Sequence, residues 1–70
     1  MDNEQLKIAL LNKKPVLYQN SDGRDSVYKC VSGIRYTEKN GRVMVSAEIT
    51  DINGTSVVIC APERLRFKEV

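Results

Sequence analysis

Apolar positions recur at helical spacing over the first dozen residues and turn to alternation after Pro15. Leu6, Ala9 and Leu10 fall on one helical stripe, which Ile8 and Leu11 would widen. Asp2 or Asn3 can cap the amino end, and Glu4 places negative charge in the first turn, where the helix dipole favours it. Asn12-Lys13-Lys14 ahead of Pro15 supplies the stop: two cations for the carboxyl end, then a residue that cannot continue a helix. The pattern predicts a helix over residues 2–12. So short a helix is marginal alone, so it must lie on the rest of the fold.

From Pro15 onward the signals are those of strands and turns. Val16-Leu17-Tyr18 reads as a short strand closed by the turn-rich Asn20-Ser21-Asp22-Gly23. A longer strand is expected from Val27 to Thr37, with a bulge or sharp bend at Ser32-Gly33. Asn40-Gly41 is a strong hairpin signal, because both residues tolerate the positive φ of a type I′ turn. Arg42 to Asp51 follows as a strand, Asn53-Gly54 repeats the turn signal, and Thr55 to Ala61 is the next strand. Pro62-Glu63-Arg64-Leu65 suits a single helical or 3₁₀ turn, with Arg66 to Val70 closing the chain as a last short strand.

The first hairpin predicts its own register. A two-residue turn at Asn40-Gly41 pairs Lys39 with Arg42, Tyr36 with Val45 and Ile34 with Ala47. One face then carries Ile34, Tyr36, Val43, Val45, Ala47 and Ile49; the other carries Arg35, Thr37, Met44, Ser46 and Glu48. A slip of one residue would destroy that division. For the second hairpin, a two-residue turn places Val58 and Cys60 on the core face, whereas a bulged turn places Val57 and Ile59 there. The bulged form is expected, since it buries two large branched side chains rather than one. The apolar residues left on the outer face would then be covered by the amino-terminal helix.

Five strands joined by hairpins, with Ala61-Pro62-Glu63-Arg64-Leu65 between the last two, resemble an SH3-like small barrel over residues 15–70. That resemblance implies a mainly β fold of about five antiparallel strands, with the helix at residues 2–12 added and residues 1–70 forming one domain. An OB-fold is the alternative, but it carries its helix between strands three and four, and no helix is predicted there. Closure into a barrel would remove exposed sheet edges. A short capped helix followed by a compact barrel is also similar to small proteins of phages and mobile elements in Gram-positive bacteria. That likeness implies no activity.

Composition narrows the function classes. Seventy residues with 41% hydrophobic and 29% charged positions suit one folded domain with a thin core. A net charge of +2, from eleven basic and nine acidic residues, is too balanced to argue for nucleic acid by itself. No apolar run approaches the roughly 20 residues that span a bilayer. The polar start, Met1 to Gln5, lacks the pattern of a secretory signal, so a cytoplasmic protein is expected. Cys30 and Cys60 lie in runs rich in Val and Ile, outside any C-x-x-C motif, and read as reduced packing residues.

The chemical inventory argues against an enzyme. There is no histidine to serve as a general base or a metal ligand. Asp22, Asp25, Glu38, Asp51, Glu63 and Glu69 sit at expected turns or the terminus, and the serines have no base beside them. The glycines have no phosphate-loop spacing. No catalytic residue, cofactor or metal is expected.

Two binding classes remain. Arg35, Lys39 and Arg42 cluster near one hairpin and Arg64, Arg66 and Lys68 follow the last turn, as a nucleic-acid surface would need. Of the aromatics that would stack bases, Tyr36 is expected in the core and Phe67 against it or the helix. A protein partner is the stronger expectation, through Arg35, Lys39, Arg42 and an outward Met44, residue types favoured at interfaces. Such a module could be an adaptor, or an inhibitor encoded by a mobile element.

Overall fold

The computed structural model describes residues 1–68. Helix α1 (Asn3–Asn12) is followed by β1 (Val16–Gln19), β2 (Asp25–Tyr28), β3 (Cys30–Lys39), β4 (Arg42–Thr50) and β5 (Val57–Cys60). A 3₁₀ turn at Pro62–Arg64 leads into β6 (Leu65–Phe67). Glu69 and Val70, assigned above to the last strand, lie outside the described residues.

Asp2 is the helix cap. Its Oδ1 accepts the Gln5 N–H at 2.8 Å while its own N–H donates to Gln5 Oε1 at 3.0 Å, a reciprocal capping box. The helix stops at Lys13, which takes a left-handed conformation and donates its N–H to Ala9 O. Leu6 and Ala9 are fully buried and Leu10 packs beside them, but Ile8 and Leu11 are exposed. At about 100° per residue, Ile8 and Leu11 lie too far around the helix from Leu6 to reach the same surface. The apolar stripe is narrower than the sequence suggested.

The strands form two antiparallel sheets, ordered β2-β1-β6 and β3-β4-β5. The long strand expected from Val27 to Thr37 is divided at Lys29. Tyr28 pairs with Val16 in the first sheet, and Cys30 pairs with Thr50 in the second. At this corner Lys29 donates its N–H to Thr50 O. The described residues therefore form six strands rather than five, and their ladder does not close into a barrel. Sheet edges remain open that closure would have removed.

The bulge falls where the sequence placed it. Val31 pairs with Ile49 and Gly33 with Glu48, leaving Ser32 as the extra residue. At the far end Asn40 and Gly41 have φ of 53° and 79°, as a type I′ turn demands, and Lys39 pairs with Arg42. The expected pairings of Tyr36 with Val45 and Ile34 with Ala47 both occur.

The second hairpin departs from expectation. Ala47 pairs with Cys60 and Ile49 with Val58, so Val58 and Cys60 share the inner face, and Val57 and Ile59 point outward. The loop keeps the register of a two-residue turn, with Asp51 N–H donating to Ser56 O. It is held by the Asp51 carboxylate, which accepts the N–H groups of Thr55 and Ser56 at 2.7 and 3.0 Å and the Thr55 hydroxyl at 3.0 Å.

Leu6, Ala9, Val16, Val31, Ala47, Ile49, Cys60 and Leu65 make the core. The helix thus plugs the inner side, between the sheets' apolar faces, and does not cover the outer face of β3-β4-β5. Tyr36 and Val43 share the inner face by register but lie beyond the core, 58% and 68% exposed. The β3–β4 hairpin extends past everything packed beneath it.

Candidate functional site

The outer face of β3-β4-β5 is set by strand alternation. Cross-strand partners share a face, so Arg35 with Ser46, Thr37 with Met44, Lys39 with Arg42 and Glu48 with Ile59 all project to the same side. The structure therefore brings Arg35, Lys39, Arg42 and Met44 onto one surface. Lys39 and Arg42 mark its outer end. Arg35 lies further in, its Nε 3.9 Å from Glu48 Oε1.

Three apolar side chains stand on this face in water: Met44, Val57 and Ile59, 57%, 58% and 52% exposed. Val57 and Ile59 are neighbours along β5, and Ser46 and Glu48 lie between them and Met44. Sequence reasoning missed Val57 and Ile59 because it assigned them to the core. The Asn53-Gly54 turn signal, followed without a bulge, would have found them.

Beside this face runs a groove of about 880 Å³. Its floor is β4 from Arg42 to Ser46, and its far wall comprises Asp2 and Asn3 of the helix start and Ala61 to Glu63 of the 3₁₀ turn. The amino group of Met1 holds that wall in place, donating to Pro62 O at 2.6 Å and Leu65 O at 3.1 Å. No known family matches this chain, nor does any similar curated protein or solved structure.

Of the cations that follow the last turn, Arg64 and Arg66 are engaged within the fold. Arg64 Nη1 donates to Gln19 O at 3.1 Å, and Arg66 pairs with Asp25. They tie β6 and the 3₁₀ turn to β1 and β2, so they form no continuous basic strip with Arg35, Lys39 and Arg42. Tyr18 and Tyr28 meet edge to face, centroids 6.1 Å apart, and Phe67 packs on the core rather than on Tyr36. Burial pushes the Cys60 thiol up from its ordinary value, opposed by the nearby terminal ammonium. Cys30 and Cys60 are both free thiols.

Proposed function

We propose that this chain is a small, non-catalytic binding module whose partner is a protein, docked on the outer face of β3-β4-β5. The observation that carries this reading is the exposure of Met44, Val57 and Ile59 together on a face bordered by Arg35, Lys39 and Arg42. Apolar side chains give a docked protein something to desolvate, and the cations at the border would orient it. A nucleic-acid strand would want stacking rings beside the cations, and Tyr36 projects from the opposite face of the same strand.

In this proposal the architecture is an SH3-like barrel opened at its ladder. Two features support it: β2 and β3 meet at a corner at Lys29 and carry the chain from one sheet to the other, and a 3₁₀ turn precedes β6. An adaptor or inhibitor of a phage or mobile element, acting in the cytoplasm, is the role the resemblance suggests. Among the described residues no helix is long and apolar enough to cross a membrane.

Affinity capture by the tagged full chain from its native host, with and without nuclease, tests the reading. A captured protein should survive nuclease, and Ile59→Asp or Met44→Asp should each reduce it about tenfold or more. Arg35→Glu with Arg42→Glu should cost less, as border charges do. Loss of the captured material to nuclease, or its indifference to both apolar replacements, would overturn the proposal.

A further inference from the structure

A second cavity, of about 350 Å³, opens where the carboxyl end of α1 meets the start of β3. Its lining includes Leu10 and Lys13 of the helix end, Lys29 and Cys30 of the corner between the sheets, and Thr50 and Gly54. It shares none of these residues with the docking face proposed above. The volume is at the small end of the range for small-molecule sites.

Both cations of this cavity are fixed through their backbones. Lys29 stands at the corner with its N–H on Thr50 O at 2.8 Å. Its ammonium lies over the turn that follows β4, where a Cβ on Gly54 would come within 3.7 Å of Nζ. Lys13 closes α1 in the left-handed conformation, φ 53°, with its N–H on Ala9 O. Glycine or asparagine fills such a position with less strain. A lysine there weakens the cap and delivers an ammonium to the cavity instead, the kind of local strain that accompanies binding sites.

Among the described residues neither ammonium is paired with a carboxylate. Asp51, next to Thr50, turns its own carboxylate to the Thr55 and Ser56 N–H groups and the Thr55 hydroxyl. The pairing of Val16 with Tyr28 and Phe67 carries Lys29 and Lys68 to either side of Pro15, directly after Lys13-Lys14. Four of the eleven basic residues thus share one corner of the molecule, and their summed field draws anions to it.

We propose that this cavity binds a phosphate monoester with a short apolar body, its head between the Lys13 and Lys29 ammonium groups. Such a phosphate carries close to two negative charges at neutral pH, matching the two cations, whereas a carboxylate leaves one of them uncompensated. Lysine holds a phosphate as a point charge, without the planar fork of arginine. Leu10, half-buried against the core, offers the apolar wall for the body of the ligand. Cys30, half-buried in the same lining, comes under the bound molecule.

Titration of the purified full chain with n-butyl phosphate at constant ionic strength, followed in amide ¹H–¹⁵N spectra, tests the proposal. The amides of Lys13, Cys30 and Gly54 should shift saturably. Inorganic phosphate, which lacks the body, and pentanoate, which lacks the second charge, should each bind about tenfold more weakly. Lys13→Gly keeps the left-handed cap and Lys29→Gln keeps the corner backbone, yet each should weaken binding about tenfold. Lys13→Arg, which keeps the charge, should retain it. Saturating butyl phosphate should also slow alkylation of Cys30 by iodoacetamide. Shifts that fail to saturate overturn the proposal, as does pentanoate binding as tightly as butyl phosphate. Unchanged affinity in both Lys13→Gly and Lys29→Gln overturns it as well.

Discussion

Gly33 sits opposite Glu48 across β3 and β4, and the Glu48 carboxylate lies over the glycine. A Cβ at position 33 would collide with Glu48 Oε2 and come within 3.2 Å of Cδ. The carboxylate occupies that space while reaching towards Arg35.

Gly33 does not have a positive φ, so alanine meets no backbone strain there and only the side chain is in the way. Gly33→Ala should displace Glu48 from Arg35 and be neutral or destabilising by up to about 1 kcal/mol. In a Glu48→Ala background the same change should stabilise by about 0.5 kcal/mol, through the lower entropy of the unfolded chain. Urea denaturation of the four chains measures the coupling, expected near 1 kcal/mol. Equal effects in both backgrounds would mean the two residues do not touch.

Leu6 is fully enclosed by the core, whereas Leu11 on the same helix stands 80% exposed. Leu6→Ala should cost about 2–5 kcal/mol, a large share of the stability of so small a domain. Leu11→Ala should stay within about 0.5 kcal/mol of wild type. A chain beginning at Lys14 should lose more than Leu6→Ala does. Melting curves that coincide for Leu6→Ala and wild type would detach the helix from the core.

Hydrogen bonds from the Ser56 and Thr55 backbone hold the Asp51 carboxyl below its ordinary value. The folded state thus binds its proton more weakly than the unfolded chain does. The stabilisation is complete above the unfolded carboxylate range, about pH 4, and is lost as pH falls through the folded value. Asp51→Ala should therefore be less stable than wild type at neutral pH, with the gap narrowing below about pH 4. Parallel acid titrations of both chains decide it, and a gap independent of pH would exclude the carboxylate as its source.

Cys30 and Cys60 flank β4 on separate strands and face opposite sides of the sheet, since Cys30 pairs with Thr50 and Cys60 with Ala47. Two strand spacings hold them about 10 Å apart, beyond the reach of a disulfide. Burial keeps the Cys60 thiol protonated. A thiol reagent under native conditions should label Cys30 first and reach Cys60 only as the protein unfolds. Intact mass should show no loss of two hydrogens under mild oxidation, and equal labelling rates would place Cys60 at the surface.

The elements governed by local chemistry were readable from the sequence. Asp2 or Asn3 marks the helix start, Asn40-Gly41 the hairpin and its register, and Ser32-Gly33 the place of a bulge or bend. What could not be read was settled by packing over distance. Tyr36 and Val43 have the alternation of core residues, but nothing among the described residues reaches far enough to cover them. Val57 and Ile59 look more apolar than Val58 and Cys60, yet it is Cys60 that pairs with Ala47 and joins the buried core. Maximising buried volume in one strand misjudged a core whose shape is set by several. The same error hid two side chains of the candidate face, although Arg35, Lys39, Arg42 and Met44 were placed together correctly.

The pairing of Val16 with Phe67 bears on the order in which this molecule assembles. During synthesis β1 emerges early, yet one of its two neighbours is made only some fifty residues later. Until Leu65 to Phe67 arrive, that flank of the strand stands unpaired, and the amino terminus has no Pro62 or Leu65 carbonyl to bind. The hairpin of β3 and β4, by contrast, closes over a two-residue turn and can form as soon as it is made. The pairing of β1 with β6 is thus the long-range closure of the first sheet, whereas β1 with β2 and β3 with β4 are local hairpins.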